Sequence, residues 1–340
     1  MDAPLWTERY EPTLEELPQE SVRDYLAHAV AGPINLVLYG PPGSGKTAAV
    51  RALARETHDH PDSDLVTINV ADFFSMTKKE VSEDPRFSPF IDAKRRRDSS
   101  KAALINHVLK ETASYPPVSG SYKTILLDNA EGIREDFQQA LRRVMERHHE
   151  ATQFVITTRQ PSALIAPITS RCFPIAVRAP TANEIVTVLE RIVEAEGVDH
   201  DADGLEYVAG YAAGNLRKAI LGAQTTAEAQ GEITMNAAYE SLASVGSDER
   251  IAEMLDHAES GSFTDARSIL DDLLVDDGHS GPEVLSDVLR VARSRYQGEQ
   301  LARVHRLAGE IDFDLAQGTS DRVHVSHLLA RLGPNDVSGD

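Results

Sequence analysis

The 340 residues carry 34 Lys+Arg against 54 Asp+Glu, a formal net charge of −20, with 41% hydrophobic residues, the proportions of a globular chain. No apolar run approaches the roughly 20 residues that cross a bilayer, and the N-terminus lacks a basic-then-apolar leader pattern. Cys172 is the sole cysteine, which excludes an intramolecular disulfide and a thiolate-cluster metal site, and a cytoplasmic protein with no membrane partner is expected.

The charge is unevenly spread. Residues 1–176 hold 21 Lys+Arg and 24 Asp+Glu, whereas the remainder holds 13 and 30. A near-neutral first half can present basic surface to nucleic acid although the whole chain is acidic. Lysine is scarce beside Asp, Glu and Arg, the composition expected of a salt-adapted cytoplasm.

In chain order, residues 34–39 read as a strand, followed by a glycine loop and a helix over 46–57. A second strand is expected over 65–70. Ser99 is placed to cap a helix whose apolar face is Leu104, Ile105, Val108, Leu109 and Thr112. Residues 124–127 and 154–157 are further strands. They flank a helix with Phe137, Ala140, Leu141, Val144 and Met145 on one face. This alternation predicts a parallel sheet with helices on both sides. From Pro180 onward the pattern is helical with no strand. Thr181 and Glu184 form a capping-box pair and Gly197 closes that helix. Boundaries are expected as 1–177 for an α/β domain, 178–240 for a small helical domain and 241–340 for a helical C-terminal domain.

Gly40-Pro41-Pro42-Gly43-Ser44-Gly45-Lys46-Thr47 fits G-x-x-x-x-G-K-[ST], between a strand and a helix. Glycines let successive N–H groups turn onto phosphate oxygens, and the helix N-terminus adds partial positive charge. Lys46 is expected at the β/γ-phosphates of ATP and the Thr47 hydroxyl on Mg²⁺. Ile125-Leu126-Leu127-Asp128 is an apolar strand ending in a carboxylate, which places Asp128 beside the same Mg²⁺.

Further motifs accompany these: Leu5-Trp6-Thr7-Glu8-Arg9-Tyr10-Glu11-Pro12, Asp128-Asn129-Ala130-Glu131, the run from Asp136 through Ala140-Leu141-Arg142-Arg143 to Met145-Glu146, Ser170-Arg171-Cys172, and Gly214-Asn215-Leu216-Arg217-Lys218-Ala219. Together they resemble the small subunits of the replication factor C clamp loader. The resemblance covers about residues 5–220, and the last third fits only by position and helicity. It implies an AAA+ α/β domain, a helical lid and an all-α oligomerising collar. It also implies large and small clamp-loader subunits, a sliding clamp and primer–template DNA as partners. By the same resemblance Arg171 is the arginine finger acting on a neighbour's nucleotide, Arg217 is sensor 2, and Arg9 and Tyr10 lie near base and phosphates. Phe73, Phe74 and Met76 would face the clamp.

Several positions depart from the family pattern. Asn129 stands where the family has its catalytic glutamate, and an amide cannot accept a proton from water as a carboxylate does. Glu131 would point to the opposite face of a continuing strand. Arg159 replaces the sensor 1 asparagine and Glu11 the box arginine. The expectation is ATP binding with poor turnover at this chain's own site; a fully active ATPase subunit and a different AAA+ DNA-remodelling ATPase are the alternatives. Lys78, Lys79, Arg95, Arg96, Arg97, Lys101, Arg142 and Arg143 form a candidate DNA-backbone surface, with a solvated face balanced by nearby acids as the competing reading. His148 and His149 are adjacent on a helix, about 100° apart, and are rejected as a metal pair.

Overall fold

In a computed structural model the described residues are 4–84, 88, 91, 99–118, 120–243, 247–276, 280–317 and 320–333. They fall into two compact units, Met1–Ser241 and Leu242–Asp340.

The first unit opens with a short helix α1 (Trp6–Arg9) and α2 (Glu20–Ala29), then strand β1 (Leu36–Tyr39) and α3 (Lys46–Thr57). β2 (Leu65–Asn69), α4 (Lys101–Ser114), β3 (Lys123–Asp128), α5 (Glu135–His148), β4 (Thr152–Thr158) and β5 (Phe173–Ala176) follow. The five strands lie in the order β2-β3-β4-β1-β5, all parallel. β3 and β4 are buried almost throughout, as central parallel strands covered on both faces must be. Side-chain alternation divides the core. Val37, Ile68, Ile125, Leu127, Phe154 and Ile156 meet Leu104, Val108, Phe137 and Leu141 of α4 and α5 on one face. Leu36, Leu38, Leu126, Val155 and Ile175 meet Leu26, Val50 and Leu53 of α2 and α3 on the other. Each such side chain contributes about 2–3 kcal/mol of transfer free energy.

Local detail departs from expectation in three places. The cap of α4 is Ser100, whose side chain accepts from the Ala103 N–H, and not Ser99; two consecutive serines offer the same chemistry, and helix phase selects the second. β5 was not foreseen. A two-stranded parallel pair, β6 (Asp199–His200) with β7 (Glu232–Ile233), lies in the stretch expected to hold no strand. Lys123 was also silent in the sequence. Its buried ammonium donates to the carbonyls of Thr112 and Tyr115 at the end of α4, and burial pushes it down to about 8.

The helical part of this unit comprises α6 (Ala182–Glu196), α7 (Ala202–Ala212) and α8 (Leu216–Gln230). Thr181 and Glu184 make the capping box and Gly197 ends α6 in the left-handed region at φ 66°. Arg178 grips Glu184 with both prongs, at 2.7 and 2.6 Å, and holds its carboxyl down at about 2. A lowered folded-state pKa gives stability that is complete above pH 4.5 and is lost as the pH falls toward 2. Glu184→Ala should therefore lower stability at pH 7 by about 1–2 kcal/mol. It should also flatten the acid limb between those two values in a series of denaturant melts.

The second unit packs α9 (Ser247–Glu259), α10 (Phe263–Asp271), α11 (Gly281–Arg295), α12 (Gly298–Gln317) and α13 (Asp321–Leu332) around Leu255, Leu270, Val288 and Leu328. Asp321 accepts from the Gly281 N–H at 2.6 Å, so the start of α13 caps the start of α11. A Cβ at Gly281 would stand 2.7 Å from both Leu315 and Asp321 side chains, which is why the closest approach falls at a glycine. Among the described residues no helix is long and apolar enough to cross a membrane.

Candidate functional site

The site lies where β1, β3 and β4 end at the C-terminal edge of the sheet. β1 stops at Tyr39 and the chain turns through Gly43 and Gly45, with φ of 70° and 94°, into α3. Both angles belong to the left-handed region that favours glycine. The Gly40 N–H donates to Thr158 O at 3.2 Å, anchoring the loop to the end of β4. A Cβ at Gly40 would meet Val177 O, and one at Gly43 would meet Asn215 Oδ1, each at 1.9 Å.

Lys46 is folded back on the loop, donating to Gly40 O at 2.9 Å and Pro41 O at 2.7 Å. Burial depresses this ammonium, and the carboxylates of Glu131 and Asp128 draw it partly back. Ser44 Oγ is buried with no hydrogen-bond partner among the described residues. A buried cation with neutral carbonyl partners and an orphaned hydroxyl, at the open N-terminus of a 12-residue helix, are the donor set that a phosphate satisfies. The loop residues 40–47 thus fit the phosphates of a nucleotide.

Across the loop, the Asp128 carboxylate accepts from the Thr47 hydroxyl at 3.0 Å and from the Thr157 hydroxyl of β4. Thr47 and Asp128 stand side by side as a pair of hard oxygens that would hold Mg²⁺, which needs few protein ligands beside phosphate and water. β3 ends here. Asn129 adopts φ 54°, ψ 54°, a left-handed conformation that asparagine tolerates better than most residues, and its N–H donates to Thr157 Oγ1 at 3.2 Å. The chain then coils into a 3₁₀ turn over Ala130–Gly132. The strand geometry expected for Glu131 is therefore wrong: the turn brings Glu131 back over the site. Its Oε1 accepts from the Arg159 N–H at 2.8 Å and from Arg159 Nε at 2.7 Å. Burial alone would raise the Glu131 carboxyl. Hydrogen bonds from its own backbone and from the Arg159 side chain and backbone outweigh it, and the net displacement is downward.

Three further residues shape the loop. Gln19, only 2% exposed, donates through Nε2 to Ser44 O at 3.0 Å and Arg178 O at 2.9 Å. Asn215 caps α8 by accepting from the Lys218 N–H, and the adjacent Leu216 N–H donates to Gly43 O at 2.9 Å. The exposed Arg217 follows directly, so the start of α8 carries it to the phosphate loop. Neither Gln19 nor Thr157 had a local sequence signal. Their partners are 25 and 29 residues away.

The N-terminal box is tied to two helices. Arg9 pairs with Glu196 at 3.0 Å and the Tyr10 hydroxyl donates to the same carboxylate, at the end of α6. Glu11 binds Arg51 at 3.1 Å and Arg55, both on α3. The reversed charge at Glu11 thus clamps the helix that follows the phosphate loop.

Arg171 sits at the opposite end of the sheet. It precedes β5, whose Phe173 is in register with Leu36 at the start of β1. Its guanidinium donates to Pro167 O at 2.7 Å and to Glu146 of α5 at 2.5 Å, and stays exposed. Gln138, also on α5, ties down the preceding loop, donating to Ile133 O and Ala163 O and accepting from the Ile165 N–H.

Of the candidate DNA contacts, Lys79 and Arg143 are exposed, and Lys78 and Arg142 are half-buried. Arg142 lies 3.8 Å from Glu146, and Lys101 donates to Phe74 O. Arg95, Arg96 and Arg97 lie outside the described residues. The suggested clamp contact at Phe73 does not hold. That ring is 2% exposed in the core, and Phe74 and Met76 pack half-buried against the same cluster.

A phosphate loop, a strand-end aspartate and a five-stranded parallel sheet define a P-loop ATPase domain of the AAA class. The model of the ATPase family associated with various cellular activities matches residues 36–180. That of the replication factor C C-terminal domain matches 247–331. The chain is 31% identical over 337 residues to the replication factor C small subunit of Methanocella arvoryzae, covering 96% of each chain. It is 31% identical to that of Archaeoglobus fulgidus, covering 96% of this chain and 97% of that one, and 29% identical to that of Halobacterium salinarum, covering 97% and 96%. The chain belongs to the replication factor C small subunit family. Among solved structures, the Thermotoga maritima RuvB Holliday junction branch migration motor superposes with a TM-score of 0.53 at 16% identity, over 73% of this chain and 78% of that one. That likeness is one of fold.

Proposed function

We propose that this chain is a clamp-loader subunit that binds ATP with Mg²⁺, turns it over slowly, and completes a neighbour's site with Arg171. In this reading residues 178–240 are the lid and 241–340 the collar. The other subunits, one large and one a second small type, supply the faster sites. The complex places a sliding clamp on primer–template DNA, which it contacts through the phosphate backbone.

The observation that carries the reading is the end of β3. Lys46, Thr47 and Asp128 are arranged to hold nucleotide and metal, but the residue after Asp128 offers an amide. Glu131 is a poor stand-in as proton acceptor. One of its oxygens already takes two hydrogen bonds, and its affinity for a proton is lowered. A fully active site is thereby the weaker reading.

The test is nucleotide binding and turnover in the reconstituted complex with clamp and primed DNA, at high salt. Lys46→Ala removes a charged donor, so this chain's nucleotide affinity should fall about 10- to 100-fold. Total turnover should barely change. Asn129→Glu should raise turnover, with part of the gain lost to the left-handed backbone at that position. If Lys46→Ala removes a full site's share of turnover, this chain hydrolyses ATP as its neighbours do and the reading is overturned.

A further inference from the structure

We propose that the Leu216 N–H at the start of α8 and the Gln19 side chain together set the phosphate loop in its binding conformation, so that the placement of α8 governs phosphate affinity. The proposal rests on the nucleotide-binding reading of residues 40–47 and adds what holds those residues in shape.

Two successive carbonyls of the loop are held from outside it. Gly43 O accepts from the Leu216 N–H at 2.9 Å, and Ser44 O accepts from Gln19 Nε2 at 3.0 Å. In a trans peptide the N–H points opposite to the C=O. Fixing these two carbonyls therefore fixes the Ser44 and Gly45 amides, which face the other way. Successive amides turned to one side are what a phosphate binds. The loop needs such support, because left-handed glycines flank Ser44 and glycine moves readily between backbone wells.

The two holders belong to one connected structure. Leu216 is the first residue of α8, where an N–H has no partner inside its own helix and is left to reach the loop. The chain arrives there through Ala213 and Gly214, both left-handed, at φ 49° and 86°. An alanine in that region is strained, and the Asn215 N–H closes the turn by donating to Ala212 O at 3.0 Å. A Cβ at Gly214 would stand 3.0 Å from the Ala179 Cβ, so the turn packs on the linker that leads into α6. Gln19 holds the residue before Ala179, donating to Arg178 O at 2.9 Å. Loop, linker and turn thus close a circuit, and a displaced α8 would release Gly43 O.

The experiment measures dissociation constants of the full-length chain for ADP and for the slowly hydrolysed analogue ATPγS, both with Mg²⁺. It also follows hydrogen exchange without nucleotide. Leu216→Pro removes the N–H and spares the helix, because proline suits the first helical position and Asn215 before it is already extended at φ −96°. The reference is Leu216→Ala, which also loses the leucine side chain but keeps the N–H. Relative to that reference, Leu216→Pro should bind both nucleotides about fivefold more weakly, the factor set by one neutral hydrogen bond. Exchange should quicken over 40–47 and stay unchanged over 217–230. Gln19→Leu, distant in sequence, should weaken both nucleotides and quicken the same segment. Equal affinities in the two Leu216 variants, or loop exchange that neither Leu216→Pro nor Gln19→Leu alters, would overturn the proposal. So would faster exchange over 217–230 in Leu216→Pro while Gln19→Leu binds as the unaltered chain does, since loss of the helix then explains the effect. Lys46→Ala separates the two levels. If it leaves both affinities intact, or the unaltered chain binds neither nucleotide, the phosphate-loop reading fails and the coupling with it. If it weakens both while the two Leu216 variants bind alike, only the coupling is wrong.

Discussion

Arg171→Ala should lower turnover at one site of the assembled complex by about 10³-fold or more, the scale on which an arginine aimed at a transferring phosphoryl group acts. Nucleotide affinity of this chain itself should stay within twofold. The geometry separates the two effects. The phosphate loop follows the C-terminal end of β1 and Arg171 precedes the N-terminal end of β5, with the two strands parallel and in register over four residues. Four residues of strand place them about 13 Å apart along the sheet, before the loops are added. Arg171 is therefore directed away from its own Lys46, and Pro167 O and Glu146 hold it in the outward pose. Arg171→Lys should restore little, because an ammonium lacks the planar fork. The measurement is steady-state hydrolysis of complexes that carry the variant only in this subunit. A matching loss of this chain's own nucleotide affinity would count against action on a neighbour.

Gln138→Leu should lower the stability of the first unit by about 3 kcal/mol, since one buried amide satisfies three backbone groups and each loss costs about 1 kcal/mol or more. Gln138 is 2% exposed. It bonds Ile133 O at 3.2 Å, Ala163 O at 3.0 Å and the Ile165 N–H at 2.8 Å. Leucine keeps much of the volume, so the loss reflects unsatisfied polar groups more than a cavity. Two of the orphaned groups, Ala163 O and the Ile165 N–H, lie just before the turn Ala166–Thr169 that leads to Arg171. Below the melting temperature the variant should therefore also slow turnover at the neighbour's site. Thermal melts followed by activity at low temperature read both effects. A loss below about 1 kcal/mol would mean that water replaces the amide.

The site was legible in the sequence where chemistry is local. The helix over residues 46–57, the glycines before it and the Thr181 cap are each fixed by neighbours a few positions away. The central strands were legible because burial on both faces leaves continuous apolar runs. β5 escaped because Phe-Pro-Ile-Ala at 173–176 is four residues long, contains proline and buries only Ile175. The return of Glu131 depended on one backbone angle, at Asn129, that no side-chain pattern announces. The grip of Gln19 on Ser44 and Arg178 joins positions 25 and 159 residues apart, and appears only when the chain is folded.

The placement of the phosphate loop at one edge of the sheet and Arg171 at the other gives this unit a direction. If Arg171 is the finger proposed above, unlike edges of neighbouring subunits must meet, which a head-to-tail contact supplies at every interface. Repeated, such a contact closes into a ring or runs on as a filament. A subunit that donates an arginine but turns over slowly then acts as a one-way element. Such a subunit would pass catalytic competence to one neighbour while its own pocket would report occupancy over a longer time. A ring containing it has distinguishable positions even if the backbone folds around it are alike.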